Sequence, residues 1–330
     1  MVAPAAPAEA EGEDGADYRE RLAELESAFE LRQATVDAQM HGLRLDKALV
    51  RLAPEFSRNH LQSLIERGHV RLDGHPATLP ARKLRAGQQL QLELVPTEES
   101  RAFTAQPLAL DIVFEDDHLL VIDKPAGLVV HPAPGNWSGT LLNGLLAHHA
   151  GAAGLPRAGI VHRLDKDTSG LMVVGKTLAA VTALSRAVAA REVQRHYRAL
   201  AHGAVDWTDR RIDAAIGRDP VSRVRMAVVA AGKAARTDVH RVACSGGFSA
   251  LACRLHTGRT HQIRVHLAWL RHPLVADALY GGAPALGLQR QALHAARLML
   301  QHPHDGVPLQ FDCAPPPDFA QAWGQVVRGP

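Results

Sequence analysis

The chain has 330 residues, of which 46% are hydrophobic, with a formal net charge of +3 and a mean hydropathy of -0.10. These values are typical of a soluble globular protein of about two domains, and no apolar run reaches membrane-spanning length. The three cysteines are widely spaced and form no Cys-x-x-Cys pair, which argues against a disulfide framework and a zinc site. We expect no secretory signal, since no basic segment precedes an apolar one, and a cytoplasmic location.

Residues 1–38 are predicted to form an acidic, flexible tail. Nine of the first 30 residues are acidic, and the segment is too poor in β-branched residues to offset its ordering entropy by burial. Apolar residues at helical spacing allow one short helix within residues 19–32. The rest of the chain is basic, and a pI near 8.9 fits either a nucleic-acid partner or an ordinary solvated basic surface.

Residues 39–97 are predicted to form a compact unit of two helices and a small sheet. One helix should end before Pro54, and Ser57 is suited to cap the second. An Asp73-Gly74 turn and a period-two run at residues 90–94 indicate strands. The polar residues that would share one face are Arg44, Lys47, Arg51, Arg58, Asn59, Gln62, Arg67, Arg71, Arg82, Lys83 and Arg85. Cations at this density suit an RNA backbone, although a basic face without a ligand has the same pattern.

This unit resembles the S4 RNA-binding domain. The matching segments are Arg44-Leu45-Asp46-Lys47-x-Leu49, Ser57-Arg58, Ile65-Glu66-x-Gly68-x-Val70, Asp73-Gly74 and Leu84-x-x-Gly87. Gln88 stands where this domain usually has an acid. The resemblance implies that Arg44, Lys47, Arg58 and Arg67 bind RNA.

Residues 98–108 are predicted to be a linker, and residues 109–330 a second domain. Short strands and a few helices alternate there without a βαβα pattern, which indicates an α+β fold with a mixed, largely antiparallel sheet. Strands are expected at residues 119–122, 171–174 and 196–200. Helices are expected at residues 178–188 and from about residue 260.

The polar loop within residues 159–177 lies between two apolar segments, as a reactive loop on a rigid scaffold does. In an extended segment, Arg163 and Asp165 point to the same side and Leu164 points into the core. A nearby guanidinium favours the ionised carboxylate that a nucleophile or base requires, yet a structural Arg–Asp pair fits these residues equally well. Asp167 is expected to accept backbone N–H bonds in the following turn.

Two further segments carry candidate residues. Tyr197 lies in a short predicted strand and is either a base-stacking residue or an ordinary core tyrosine. His256, His261 and His266 recur every five residues, a spacing that spreads them around a helix and argues against a metal site. Arg264 on the same predicted helix is suited to bind a carboxylate or phosphate with two hydrogen bonds.

Together these segments resemble the RluA family of pseudouridine synthases. The family motif His-Arg-Leu-Asp-x-x-Thr-Ser/Thr-Gly is matched at every fixed position by residues 162–170. The other matches are Asp123-Lys124-Pro125-x-Gly127, Tyr197-x-Ala199, the run from Thr257 to His266, and Tyr280-Gly281. The departures are Asp123, where Asn is usual, and Asp277-Ala278. Residues 129–136 and 157–161 are most similar to family members that act on large-subunit rRNA.

The resemblance implies a cleft in which Asp165 attacks or deprotonates the ribose of a flipped uridine. Arg163 would replace the flipped base in the RNA stack, Tyr197 would stack on uracil and assist proton removal at C5, and Arg264 would hold Asp165 ionised. His162, Lys124 and Ile263 would also bind substrate.

The implied partner is 23S rRNA or a large-subunit precursor, with the helix 69 stem-loop as target. No cofactor, metal or membrane is expected, and the protein is expected to be a monomer. The alternatives are a synthase acting on other rRNA or tRNA uridines, a catalytically silent RNA-binding protein, and an N-glycoside hydrolase.

Overall fold

The computed structural model describes residues 30–95, 102–133, 135–222 and 224–329. The chain divides into two compact units, Met1–Arg101 and Ala102–Pro330. Among the described residues, no helix combines the length and apolar character needed to cross a bilayer.

The first unit packs two helices against a four-stranded antiparallel sheet. The helices are α1 (Leu45–Leu52) and α2 (Arg58–Glu66), and the strands are β1 (Glu30–Thr35), β2 (Val70–Leu72), β3 (His75–Pro76) and β4 (Gln89–Leu94), in the order β1-β4-β2-β3. As predicted, the Ser57 hydroxyl caps α2 by accepting the N–H of His60 at 3.3 Å. Leucines of both helices and of β4 form one buried cluster, which fixes the helices on the sheet.

The sheet of the first unit begins earlier than its composition suggests. Residues 30–35 were assigned to the flexible tail, and residues 30–32 to the end of a short helix, but they form β1 and pair with β4 from Glu30↔Leu94 to Thr35↔Gln89. An edge strand needs only one partner and half-buries alternate residues, so its sequence shows little apolar signal. Residues 36–38 were also assigned to the tail, but Val36 is buried in the core of this unit. Residues 1–29 of the predicted tail lie outside the described residues, as do residues 98–101 of the predicted linker.

The second unit is built on a nine-stranded sheet. Its strands are β5 (Ile112–Glu115), β6 (Leu119–Lys124), β7 (Ser169–Gly175), β8 (Gln194–His202), β9 (Asp209–Asp213), β12 (Arg236–Ser245), β13 (Phe248–Leu255), β14 (Leu293–Gln301) and β15 (Pro308–Asp312). They follow the order β5-β6-β7-β14-β8-β13-β12-β9, with β15 also paired to β14. A separate ribbon joins β10 (Ile216–Arg218) and β11 (Met226–Val228). The helices are α3 (Leu141–His148), α4 (Leu178–Ala190), α5 (Gln262–Trp269) and α6 (Pro317–Arg328).

One parallel pair interrupts the otherwise antiparallel order of this sheet, which confirms the predicted mixed sheet. It joins the first residues of β7 to β14 through Ser169↔His294 and Gly170↔Ala295. Gly170 has φ +115°, and a Cβ there would lie 2.2 Å from the carbonyl oxygen of Ala295. Only glycine permits this close approach, which fixes the end of the loop that precedes β7.

Candidate active site

The polar loop between residues 160 and 169 is held at both ends and in the middle. Ile160 forms an isolated antiparallel bridge to Val174, and Ser169 starts β7. Leu164 is buried in the main core cluster, as its sequence position predicts. The N–H of Thr168 donates to the carbonyl of Asp165 at 3.1 Å, closing a turn. The backbone of Asp165 is therefore fixed before any ligand binds.

Lys124, at the end of β6, lies beneath this loop. It is 0% exposed, and its ammonium donates to the carbonyls of Pro125 (2.7 Å), Leu128 (3.0 Å) and Lys166 (2.9 Å). Burial lowers the pKa of Lys124 to about 8, against the charges of Asp167 and Asp165, which raise it. Since all three donors of the ammonium are used, these contacts do not favour the predicted substrate-binding role. They make Lys124 a clamp for the loop backbone.

Asp167 was expected to use its carboxylate to accept backbone N–H groups. Residues 166–167 do form a turn, but no such bond of this carboxylate is found among the described residues. Its carbonyl instead accepts from Arg290 at 3.0 Å. The turn is held by main-chain acceptors, and the carboxylate acts on Lys124 through its charge.

Asp165 is paired with a buried arginine of α5. Oδ2 of Asp165 accepts Nη1 of Arg264 at 3.0 Å, while the other two donor groups of the guanidinium, Nε and Nη2, donate to Asp277 at 2.8 Å each. The side chain of Arg264 is 7% exposed, that of Asp277 1% and that of Asp165 18%. Burial lowers the pKa of Arg264, but the hydrogen bonds to Asp277 and the charge of Asp165 raise it by more, so that the pKa lies above its ordinary value. A permanent cation therefore supports a partly open carboxylate.

His261 and Tyr280 lie on the other side of the same carboxylate. His261 Nε2 is 3.9 Å from Oδ1 of Asp165, and His261 Nδ1 is 2.8 Å from the hydroxyl of Tyr280. The guanidinium of Arg264 lies over the ring of Tyr280, 5.0 Å from its centroid. Burial lowers the pKa of His261, against the charge of Asp165, which raises it. Oδ1 is therefore the oxygen of Asp165 that no strong ion pair occupies.

Tyr197 is in the middle of β8, as the sequence predicts, and is buried in the main core cluster. Burial raises the pKa of Tyr197 to about 12, with the charge of Asp165 raising it further and that of Arg195 lowering it. The phenol therefore keeps its proton at neutral pH. Tyr197 belongs to the core and also lines the cleft, and its base-stacking role stays a prediction.

A cavity of about 740 Å³ opens in front of these groups. Six of the seven candidate residues of the second domain line it, and only Lys124 does not. The six are His162, Arg163, Asp165, Tyr197, Ile263 and Arg264. Arg163 is exposed and makes no hydrogen bond or ion pair with any residue that the structure describes. The volume is within the range of small-molecule pockets and suits one nucleotide.

Two residues of this site, Asp277 and His261, were not predicted from the sequence. Asp277 was noted only as a departure from the family pattern, and His261 only as one of three histidines. The other two histidines have separate partners: His256 binds Asp238 at 2.6 Å, and His266 binds Thr237 at 2.9 Å. Only the pairing of Asp277 with an arginine 13 residues earlier reveals its role, and no sequence spacing signals that contact.

The candidate RNA-binding residues of the first unit differ in their surroundings. Arg44 and Arg58 both bind Asp46, with closest distances of 3.1 and 2.6 Å, yet remain 43% and 46% exposed. Gln62 also donates to Asp46, at 2.7 Å, and this carboxylate is 0% exposed. Lys47 and Arg67 are exposed. The guanidiniums of Arg44 and Arg58 are thus fixed in place without being buried.

Comparisons with known proteins match this description. Residues 118–269 fit the family model for RNA pseudouridylate synthase, and residues 43–90 fit that for the S4 domain. A ribosomal large subunit pseudouridine synthase D of Neisseria meningitidis serogroup B is 49% identical over 298 residues, covering 86% of this chain and 79% of the relative. The chain belongs to the RluA family of pseudouridine synthases. It is an RNA pseudouridine synthase, an isomerase, with an S4 domain before its catalytic domain.

A second relative and two solved structures extend the comparison. The synthase D of Nitrosomonas europaea is 47% identical over 313 residues, covering 92% of this chain and 89% of the relative. The structure of human RNA pseudouridylate synthase domain containing 1 aligns with a TM-score of 0.51 at 27% identity, covering 66% of this chain and 90% of that one. The structure of human RNA pseudouridylate synthase domain containing 4 aligns with a TM-score of 0.53 at 21% identity, covering 66% of this chain and 93% of that one. This second likeness supports only the fold.

Proposed function

We propose that this synthase isomerises uridines of 23S rRNA to pseudouridine, with the helix 69 stem-loop as its target. The substrate class is supported by the two relatives described above, whose names specify the large ribosomal subunit. The assignment of the helix 69 stem-loop as the target is supported by the resemblance of residues 129–136 and 157–161 to enzymes that act on large-subunit rRNA. Members of both segments, His131 and Arg157 among them, line the cavity, where they can contact the RNA around the target uridine.

The observation that carries the proposal is the pairing of Asp165 with Arg264 at the cavity wall. Arg264 occupies Oδ2 at 3.0 Å, which leaves Oδ1 to react. As a nucleophile, Oδ1 bonds to C1′ while the C1′–N1 bond breaks and uracil leaves with the electron pair. As a base, Oδ1 instead takes a ribose proton as that bond breaks. Both routes need an ionised carboxylate, and the buried cation supplies the charge that favours it.

The uridine must leave the RNA stack before C1′ is accessible. Arg163 is exposed and unpaired among the described residues, so its planar guanidinium is free to enter the space that the base vacates. The flipped uracil would lie between Tyr197 and Ile263, whose buried side chains line the cavity. The partly apolar wall of the cavity would hold the detached uracil while it rotates to present C5 to C1′.

The second half of the reaction forms the C5–C1′ bond, removes the proton of C5 and adds a proton to N1. On the nucleophile route the bond between C1′ and Oδ1 breaks in this step, and on the base route Asp165 returns the proton to the ribose. The phenol of Tyr197 keeps its own proton, since its pKa is about 12. It can assist at C5 only by passing that proton to an acceptor as it takes the new one. We therefore assign stacking to the ring and a relay role to the hydroxyl.

The substrate is tested by incubating the full chain with 23S rRNA transcribed without modifications and mapping pseudouridine chemically along the RNA. We expect conversion confined to a few uridines, within the helix 69 stem-loop. Conversion elsewhere would overturn the target, and no conversion in naked rRNA or in subunit precursors would overturn the substrate class. Release of free uracil would indicate a hydrolase instead.

A further inference from the structure

The side chain of Arg195 is a buried cation without a partner among the described residues. It lies on β8 and is 6% exposed. It makes no hydrogen bond, ion pair or ring contact with any residue that the structure describes, and its Nε is a buried donor without an acceptor. Guanidiniums this deeply buried are normally paired, because desolvating an uncompensated charge is costly. A ligand that enters the cavity can supply the acceptor that the described residues lack.

His162 adds a second donor of the same kind. Its Nε2 accepts the N–H of Val173 at 3.1 Å, so the ring carries its proton on Nδ1. That Nδ1 is buried and has no partner among the described residues. Burial, and then the charge of Arg195, lower the pKa of His162 to about 3, which keeps the ring neutral. The unsatisfied group is thus an N–H donor whose tautomer is fixed by the protein.

Both donors line the cavity in front of Asp165. Arg195 is two residues before Tyr197 on β8, so the two side chains lie on the same side of the sheet. A Cβ on Gly258 would lie 2.9 Å from Nη1 of Arg195, so the guanidinium packs against the backbone that leads into α5. A glycine at this position leaves room for the cation at the cavity wall.

We propose that Arg195 and His162 form a binding site for one phosphate group of the RNA strand, next to the uridine that enters the cavity. This inference rests on the proposed action on RNA. Phosphates are the anionic groups of an RNA strand, and the fork of a guanidinium matches two phosphate oxygens. The Nδ1–H of His162 can donate to a third phosphate oxygen. In the free enzyme the unpaired cation lowers stability, and the bound phosphate compensates it.

The test compares Arg195→Met and Arg195→Lys with Arg198→Met, a matched control. Arg198 is exposed on the same strand, with its guanidinium over Trp323 at 5.6 Å. Binding of an unmodified stem-loop RNA is measured as a function of salt. We expect Arg195→Met to weaken binding about 10- to 100-fold, as loss of charge-assisted hydrogen bonds does. The salt slope, which is the slope of log affinity against log salt concentration, should fall in magnitude by roughly 0.7 to 0.9 in this variant. That change is the value for one phosphate contact. Arg195→Lys should keep the slope but bind more weakly than wild type.

Thermal unfolding of the free proteins separates binding from folding. Removing a buried, unpaired charge should leave the melting temperature of Arg195→Met equal to or above that of wild type. A melting temperature several degrees lower would mark a structural role and overturn the proposal. The proposal would also be overturned if Arg195→Met lowered the salt slope by no more than Arg198→Met does.

A phosphate walk locates the contact. Methylphosphonates replace single phosphates around the target uridine, one RNA at a time, and binding is measured for wild type and Arg195→Met. We expect one position at which wild type loses affinity and the variant does not. Equal losses at every position would exclude a specific phosphate. Pseudouridine formation by wild type on the unsubstituted RNA is scored separately, so failure of the proposed function is distinguishable from failure of this site.

Discussion

The two units of the chain use the same pair of residue types in opposite ways. In the S4 unit a fully buried carboxylate, Asp46, holds two arginines that stay nearly half exposed. In the catalytic unit a buried arginine, Arg264, holds Asp165, a carboxylate that stays partly exposed. In each case the buried partner fixes the exposed one, and the exposed partner has the charge that the proposed role of the unit requires. Phosphate binding needs cations, and attack on a ribose needs an anion.

Among substitutions of the buried partners, Arg264→Gln should have the largest effect, since it removes the charge that supports Asp165. We expect the rate of pseudouridine formation at saturating RNA to fall about 100- to 1,000-fold, the usual loss for one preorganised electrostatic partner. Arg264→Lys should recover only part of this rate, because an ammonium cannot reproduce the paired bonds of the planar guanidinium to Asp277 together with its bond to Asp165. Single-turnover kinetics on a target stem-loop measure both. A variant within threefold of wild type would show that Asp165 needs no cation.

Asp277→Asn tests whether the guanidinium must itself be anchored. It leaves Arg264 with one carboxylate instead of two, and we expect a rate about 10- to 100-fold lower with little change in RNA affinity. Loss of one partner of a buried pair should also lower the free energy of unfolding by about 3 kcal/mol, which lowers the melting temperature by roughly 6–12 °C. Asp277→Glu keeps the charge and serves as the control for its position. An unchanged rate in a destabilised Asp277→Asn protein would reduce Asp277 to a structural residue.

Asp46→Asn tests the opposite arrangement in the S4 unit. Arg44 and Arg58 would lose the charge that fixes them, so we expect the KM for RNA to rise about tenfold while kcat stays the same. Glu66→Gln is the matched control, because Glu66 is an exposed carboxylate of α2 that makes no ion pair with any described residue. A fall in kcat with constant KM would mean that this cluster does not act in RNA binding.

The stability of wild type relative to Asp46→Asn should depend on pH with a definite sign. Burial raises the pKa of Asp46, but the hydrogen bonds from Arg44, Arg58 and Gln62 lower it by more. The pKa therefore lies well below the ordinary 3.8. The stabilisation is therefore complete above about pH 5 and is lost as the pH falls below 4, where the unfolded chain binds the proton first. Melting temperatures from pH 7 to pH 3 should show the difference between the two proteins shrinking on acidification. A constant difference would contradict the assigned pairing.

The sequence predicts well those features that depend on neighbouring residues. The cap at Ser57, the buried Leu164 and the strand of Tyr197 each follow from local patterns, and the structure confirms them. The sequence predicts a turn at Asp123–Gly127, but no local pattern indicates that three carbonyls of two segments surround the ammonium of Lys124. The strand β1 was missed because an edge strand after an acidic segment has a weak apolar pattern.

The arrangement of the site could be predicted only in part. The family resemblance suggests the pairing of Arg264 with Asp165, which lies 99 residues away, but not the second carboxylate that anchors Arg264. Asp46 likewise reads as an exposed acid in the first turn of a helix, and only tertiary packing buries it. Burial and long-range pairing decide which member of each ion pair is presented, and neither has a signature in local spacing.

The central claim is that the carboxylate of Asp165 performs the chemistry. Its most direct test is single-turnover conversion of a helix 69 stem-loop by wild type, Asp165→Asn and Asp167→Asn, with pseudouridine counted by mass spectrometry. Asn keeps the size of the side chain and can accept from Arg264, so binding should persist while conversion by Asp165→Asn falls at least about 10,000-fold. Asp167→Asn should retain at least about a tenth of the wild-type rate. Conversion by Asp165→Asn comparable to that by Asp167→Asn would contradict the account.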